Sequence, residues 1–334
     1  MSATHRAYNG TEYRLAEGIT TMATVPTIDL NHIDDAALKA LDLACRDHGF
    51  FFLKGHGINT LLNAVKTQAE LFFALPRDEK QKVVRKEDNP MGYYDRELTK
   101  QKRDLKEVFD FYARSNGKEN RMPWPQQPKE FKETLREYFL ANAELSNQVM
   151  HVLCKALGVN ETSFDEFFTP RHTSSARLNY YPSEDPLAAD DQQSVTPLGD
   201  MALHHHTDQG AVTLLFQDNV GGLQAFSKDD GWIDIPPMED ALVVNIGDIV
   251  QVWSNGAYRA ALHRVLPIAA GKSRYSLPFF YQPSFDIVVE PHRGLGTPNY
   301  RSFNCGEFIQ GRIDDNYEDL GADDIQIERF RINV

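Results

Sequence analysis

The sequence predicts a mainly β domain with flanking α-helices, for which a jelly roll is the natural candidate. Three observations carry that expectation. Between residues 176 and 290 the chain breaks into short β-rich runs (177–181, 211–216, 222–226, 241–245, 258–265, 274–281 and 285–290), separated by Gly, Pro, Asn and Asp. Ahead of them, 129–157 reads as one helical block, with Phe131, Leu135, Phe139, Leu145, Val149 and Val152 near one face. With 334 residues, 41% of them hydrophobic and 11% aromatic, the chain can bury a full core for one large domain or a catalytic domain with an extension.

The elements follow in order. Val25-Pro26-Thr27-Ile28-Asp29-Leu30 alternates in the manner of a short strand. Asp34 and Asp35 can cap a helix whose apolar positions are Leu38, Leu41 and Ala44, and Gly49 ends it. Phe50-Phe51-Phe52-Leu53 reads as a buried strand closed by Gly55 and Gly57, with His56 as a structural residue at its end. A second helix over 61–75 stops at Pro76, and the charged stretch 77–103 mixes a short helix with loops. Gly158 stops the long helix. Gly221-Gly222 reads as a hairpin turn between strands. Beyond Pro291 the tail is polar and wraps back as loops and a short helix.

Composition excludes several functional classes. The net charge is -13, from 35 basic and 48 acidic residues, and no Lys/Arg-rich run with interleaved aromatics occurs. A nucleic-acid partner is disfavoured, because phosphate binding needs concentrated positive charge. Cys45, Cys154 and Cys305 lie far apart, which fits isolated thiols in a reducing compartment. No apolar run approaches the roughly 20 residues of a membrane span, and residues 1–21 lack the apolar core of a signal peptide. They are expected to form a loosely held arm. A soluble, cytoplasmic protein follows, so the glycosylation patterns at Asn9-Gly10-Thr11 and Asn160-Glu161-Thr162 carry no weight.

One segment points to chemistry. In His204-His205-His206-Thr207-Asp208, His206 and Asp208 stand at i and i+2, and on a strand or its edge they point to one side. His204 and His205 are neighbouring imidazoles without such a partner. His263, in the later run 258–265, can bring a third ligand from another strand. Two neutral imidazoles and one carboxylate on one face make the facial triad of non-haem iron(II) oxygenases. One carboxylate leaves Fe(II) with a net charge of about +1 and three open positions, which suits a chelating α-keto acid and O2. Arg274 and Ser276 are again i and i+2, eleven positions past His263, on what reads as the neighbouring strand. A guanidinium grips a carboxylate bidentately, and Ser276 can donate one further bond.

With those residues in view, the chain resembles the isopenicillin N synthase-like family of iron(II)/2-oxoglutarate oxygenases over most of its length. At the N-terminal end the resemblance rests on Val25–Leu30, Gly49-Phe50-Phe51-Phe52-Leu53 with Gly55-His56-Gly57, and Asp104-Leu105-Lys106-Glu107-Val108-Phe109-Asp110-Phe111. In the later half it rests on Arg177-Leu178-Asn179-Tyr180-Tyr181-Pro182, His206-x-Asp208, Gly221-Gly222-Leu223-Gln224, Asn245-Ile246-Gly247-Asp248, Ser254-Asn255-Gly256, His263-Arg264-Val265 and Arg274-x-Ser276.

The resemblance implies a double-stranded β-helix (jelly roll) core at 171–290, an N-terminal dioxygenase region at 25–125 that packs on it, and a C-terminal tail at 291–334. It implies Fe(II) as metal, with 2-oxoglutarate and O2 as co-substrates, and carries 2-oxoglutarate contacts onto Asn179, Tyr181, Arg274 and Ser276. The implied reaction releases succinate and CO2 while hydroxylating a small molecule, with desaturation or ring closure as variants. Two alternatives stay open: an iron-dependent oxidase of the same fold that takes no 2-oxoglutarate, and a non-catalytic jelly-roll binder. For the substrate, the alternation of Ser276, Pro278 and Phe280 puts Phe280 beside the metal. Tyr93, Phe109 and Phe111 are expected to close the mouth, which would suit an apolar or aromatic molecule.

Overall fold

The computed structural model describes residues 25–86, 88–99, 102–113, 121–168, 172–313 and 326–332. The expected arm at 1–21 and the Asn9-Gly10-Thr11 pattern lie outside the described residues.

The chain opens with β1 (Thr27–Asp29), helix α1 (Asp35–Asp47) and β2 (Phe50–Lys54). Asp34 caps α1 by accepting a hydrogen bond from the Ala37 amide at 2.8 Å. Leu41, Ala44 and Cys45 form its buried stripe. Gly49 makes the turn into β2 with φ +72°, and an added Cβ there would stand 2.5 Å from the Arg259 carbonyl oxygen, so only glycine fits. Helix α2 (Asn59–Phe73), the short α3 (Arg77–Gln81), β3 (Gly92–Tyr94), a two-strand ribbon of β4 (Leu98–Thr99) and β5 (Lys102–Arg103), and β6 (Glu107–Phe111) complete the N-terminal region. Helix α4 (Phe131–Leu157) follows and ends at Gly158.

The β-rich half contains β7 (Ser175–Tyr181), the four-residue α5 (Ala189–Gln192), β8 (Leu203–His206), β9 (Val212–Gln217), β10 (Leu223–Ser227), β11 (Gly231–Asp234) and β12 (Leu242–Ile246). After these come α6 (Asp248–Trp253), β13 (His263–Val265), β14 (Arg274–Tyr281), β15 (Val288–Val289), β16 (Phe303–Asn304) and α7 (Cys305–Ile313). The major sheet has eight strands in the order β1-β2-β12-β9-β14-β7-β6-β3, and the minor sheet four in the order β11-β10-β13-β8. Among the pairings of these two sheets only β1 with β2 is parallel. This is the predicted jelly roll, with the N-terminal strands built into its larger sheet.

Two cores result. One lies between the major sheet and α1, α2 and α4, and includes Phe72, Phe109, Leu135, Phe139, Leu178, Leu277 and Phe279. The other lies between the sheets and includes Phe50, Phe52, Tyr181, Leu215, Leu223, Val243 and Val265. Strand alternation sends odd and even residues of each major-sheet strand to different cores, so parity decides which side chains reach the interior of the roll.

Three expectations need correction. Gly221-Gly222 makes no hairpin, since β9 belongs to the major sheet and β10 to the minor one. Both glycines have positive φ and turn the chain from sheet to sheet. The run 258–265 is a strand only from His263, because earlier amides bond elsewhere: Arg259 to the Cys45 carbonyl, Ala260 to Gln251 Oε1 and Ala261 to the Ile246 carbonyl. Finally, β14 is not the neighbour of β13 but stands in the other sheet. Among the described residues no helix is long and apolar enough to cross a membrane.

Candidate metal centre and active site

His206 closes β8 and His263 opens β13, and the two are paired across the minor sheet. Asp208 lies beyond the end of β8, so a turn places it. That turn is clamped from behind. The Asp248 amide, at the start of α6, donates to the Asp208 carbonyl at 2.8 Å. The Arg312 guanidinium on α7 donates to the Thr207 carbonyl at 2.8 Å.

Asp208 Oδ1 stands 3.7 Å from His206 Nε2 and 3.9 Å from His263 Nε2, and the imidazole centroids are 4.3 Å apart. It is the one cluster of potential metal ligands among the described residues. His204 takes no part, because Asp104 and Asp200 hold its ring nitrogens at 3.0 and 3.1 Å. His205 packs outward against Trp232.

The surroundings set the protonation each ligand needs. His206 Nδ1 lies 2.9 Å from the His204 carbonyl, and His263 Nδ1 2.9 Å from the Ala261 carbonyl. A carbonyl only accepts, so each Nδ1 carries the proton and each Nε2 keeps its lone pair for a metal. Burial, reinforced by His263, holds His206 well below the usual imidazole range, hence neutral. Burial opposes ionisation of Asp208, but His263, His206 and two hydrogen bonds outweigh it and keep the carboxyl below its ordinary range. Those bonds come from Thr213 Oγ1 at 2.5 Å and Asn245 Nδ2 at 2.8 Å, both to Oδ2, which leaves Oδ1 facing the histidines.

Across the interior, Leu277, Phe279 and Tyr281 of β14 pack into the helix-side core, so Arg274, Ser276, Pro278 and Phe280 face inward. Arg274 pairs with Tyr181, and Ser276 stands between Asn179 and Gln217. Asn179 Nδ2 donates to Ser276 Oγ at 3.2 Å, and the Arg274 guanidinium lies 5.0 Å from the Tyr181 ring centroid. Arg274 is 1% exposed and donates from Nη2 to Gln217 Oε1 at 3.1 Å. Its Nε and Nη1 are buried without a partner. A buried cation with two unsatisfied nitrogens is costly unless an anion completes it. A distal carboxylate of an α-keto acid is such an anion, so the donor set fits both iron and 2-oxoglutarate.

The four aromatic side chains expected around the substrate separate. Phe280 faces inward, half-buried, opposite Thr213, whose hydroxyl bonds Asp208. Phe109 and Phe111 do not close a mouth. They are fully buried on the helix side, Phe109 at 5.1 Å from both Phe72 and Phe131, and Phe111 at 6.0 Å from Trp124. Tyr93 is buried too, 6.2 Å from Phe72, with its hydroxyl donating to Glu107 at 2.5 Å. The reason is parity. Phe109 and Phe111 pair with Leu178 and Ala176, which face the helices, whereas Val108 and Asp110 pair with Asn179 and Arg177 and face inward.

Sequence reasoning assigned no role to Thr213, Gln217, Asn245, Asp110 or Arg177. For Arg177 a signal existed, since it precedes Asn179 by two positions on one strand. For Asp110 the signal was a carboxylate between two aromatics in a buried strand.

Comparison with known proteins agrees with this geometry. Residues 172–283 match the model of the 2OG-Fe(II) oxygenase superfamily, and residues 25–131 match that of the non-haem dioxygenase in morphine synthesis N-terminal region. The chain is 31% identical to Homoarginine-6-hydroxylase 2-ODD-C23 of Glycine max, over 90% of this chain and 99% of that protein. It is 31% identical to Gibberellin 3-beta-dioxygenase 1 of Pisum sativum, over 86% and 76%. Among solved structures, a full-length Neurospora crassa protein in complex with alpha-KG and thymine superposes with a TM-score of 0.75 at 26% identity, covering 90% of this chain and 99% of that one. The chain belongs to the 2OG-Fe(II) oxygenase superfamily.

Proposed function

We propose that this iron(II)- and 2-oxoglutarate-dependent oxygenase holds its metal with His206, Asp208 and His263, holds 2-oxoglutarate with Arg274, Ser276, Asn179 and Tyr181, and oxidises a C–H bond of a small organic molecule. The observation that carries this is the buried Arg274 guanidinium, with Nε and Nη1 unpartnered, on the inner face of the major sheet across from the minor-sheet strands that carry His206 and His263. When bound, iron would activate O2 as the oxidant, and 2-oxoglutarate would supply two electrons as it is oxidised to succinate and CO2.

The chain's own residues do the rest. His206 and His263 present fixed lone pairs, because their Nδ1 protons are tied to carbonyls. Asp208 supplies a single negative charge, which leaves a bound divalent cation in want of another anion. Thr213 and Asn245 stop its carboxylate from rotating. Arg274 keeps Nη1 free beside Nη2, the terminal fork that a carboxylate can bridge, and the Asn179–Ser276 pair offers a polar contact beside it. Phe280 walls the metal end of the same face and keeps water from it. Small-molecule chemistry is also what the relatives are named for: homoarginine, gibberellin, and in the Neurospora crassa structure, thymine.

Purified protein loaded with Fe(II) is expected to convert 2-oxoglutarate to succinate slowly without substrate and faster when a substrate is supplied. Full iron occupancy with no succinate under any condition would favour an oxidase. Failure to retain iron would favour a binding protein.

A further inference from the structure

The minor sheet has one irregularity, and it falls beside the metal cluster. His206 pairs with His263, but Leu203, three positions earlier on β8, pairs with Val265, only two positions later on β13. Strand β8 therefore carries one extra residue, a β-bulge, with His204 and His205 together opposite Arg264. The bulge decides where His206 points. Residues three apart on a regular strand face opposite ways, yet Leu203 packs against the core between the sheets and His206 faces the same interior. The extra residue makes both possible.

His263 stands on β13, which is paired on both sides, with β10 and β8. Strand β8 is the edge of the sheet, so no further strand fixes its outer side. The N-terminal region takes that place. Asp104, the residue after β5, is fully buried. Its Oδ1 lies 3.0 Å from His204 Nδ1 and accepts from the His204 amide at 3.4 Å. Its Oδ2 accepts from Thr99 Oγ1 at 2.7 Å and pairs with Lys106 Nζ at 3.1 Å. From the other side Gly199 makes room for the ring, since a Cβ there would stand 2.2 Å from His204 Cε1. One bond carries this arrangement to the cluster: the His204 carbonyl accepts from His206 Nδ1 at 2.9 Å.

We infer that His204 and Asp104 are positioning residues for the metal centre: they pin the β8 bulge, and the pinned bulge aims His206 Nε2 at the point it shares with Asp208 and His263. The inference rests on the metal assignment proposed above and deepens it in two ways. His204 supplies no ligand atom but acts through its carbonyl and through the backbone shape that its ring anchors. The N-terminal region, which is built into the major sheet, reaches across through Asp104 to the minor-sheet strand that carries a metal ligand. A ligand at the end of a bulged edge strand needs such a support, because nothing in the sheet itself resists a slip back to regular pairing, which would turn His206 away from the interior.

The test is a Co(II) titration of the full chain, followed by visible absorption, for the wild type, His204→Leu and His204→Asn. Leucine and asparagine are close in shape, but only asparagine places an N–H where His204 Nδ1 stands. His204→Leu is expected to bind Co(II) about ten- to a hundredfold more weakly, with a changed spectrum, because His206 no longer approaches from its fixed direction. His204→Asn should bind within about threefold of the wild type and restore its spectrum. A role in stability alone would lower the melting temperature of the metal-free protein and leave both the affinity and the spectrum of folded protein as they are. Should His204→Leu not fold, Thr99→Val, which takes one hydrogen bond from Asp104, replaces it, with binding at least about threefold weaker expected. Wild-type affinity in the folded His204→Leu or Thr99→Val protein, or a His204→Asn protein as weak as His204→Leu, would overturn the inference and leave the metal assignment standing. A wild-type protein that binds no Co(II) is a different failure, which overturns the metal assignment and this inference with it.

Discussion

Replacing Arg274 with Met should have opposite effects on the empty and the loaded protein. In the empty protein Arg274 is 1% exposed, makes one hydrogen bond to Gln217, and leaves Nε and Nη1 unsatisfied. Each such nitrogen costs about 1–3 kcal/mol, so an apolar side chain of similar length removes a penalty along with the Gln217 bond. Stability without ligand should change by no more than about 1–2 kcal/mol in either direction. With 2-oxoglutarate the balance reverses. Its distal carboxylate would meet a thioether, and truncating one partner of a buried charged pair costs about 2–5 kcal/mol, roughly thirtyfold to several-thousandfold in affinity. Thermal unfolding in the presence of Mn(II) reads both at once. At a 2-oxoglutarate concentration about a hundred times its Kd, the wild type gains about 2.7 kcal/mol, and Arg274→Met at the same concentration should gain no more than about 0.9 kcal/mol. A variant that keeps the wild-type gain, or that is badly destabilised when empty, would refute this account of Arg274.

Three further outcomes follow from the same geometry. Thr213→Val, which removes the hydroxyl from Asp208 Oδ2 but keeps the shape, should weaken metal binding by roughly ten- to a hundredfold in an Fe(II) or Co(II) titration. Phe280→Ala should raise the KM of the substrate more than that of 2-oxoglutarate, measured by succinate formation. Phe109→Ala should show the reverse pattern, a loss of about 3–5 kcal/mol in urea unfolding with the substrate KM of the folded fraction unchanged.

The proposed metal ligands were legible because the demand of a metal links distant segments. A carboxylate two residues after an imidazole needs a third ligand, and a strand containing His263 could provide it. That the strands pair, His206 opposite His263, is the structural counterpart of the chemical requirement. The Arg274–Ser276 pair was readable for a local reason, the period of two, even though its strand stands in the other sheet. Parity was also where the reading failed. In Glu107-Val108-Phe109-Asp110-Phe111 the sequence makes the large aromatics the natural candidates to face the site. The long helix α4 buries them on the opposite face, and the odd–even alternation turns Asp110 inward. Long-range pairings such as β2 with β12 could not be read at all, because no local pattern records which of many apolar strands will meet. The hydrogen bonds that fix Asp208 depend on such pairings: Thr213 and Asn245 are opposite each other on β9 and β12.

The central claim is that His206, Asp208 and His263, and no other side chains, hold the iron. Anaerobic Fe(II) titration of the wild type and of the His206→Ala, Asp208→Ala and His263→Ala variants tests it most directly, with circular dichroism to establish that each folds. One iron per wild-type chain and loss of tight binding in all three folded variants is the predicted result. A folded His206→Ala protein that still binds one iron at wild-type affinity, through His204 or His205, would contradict it.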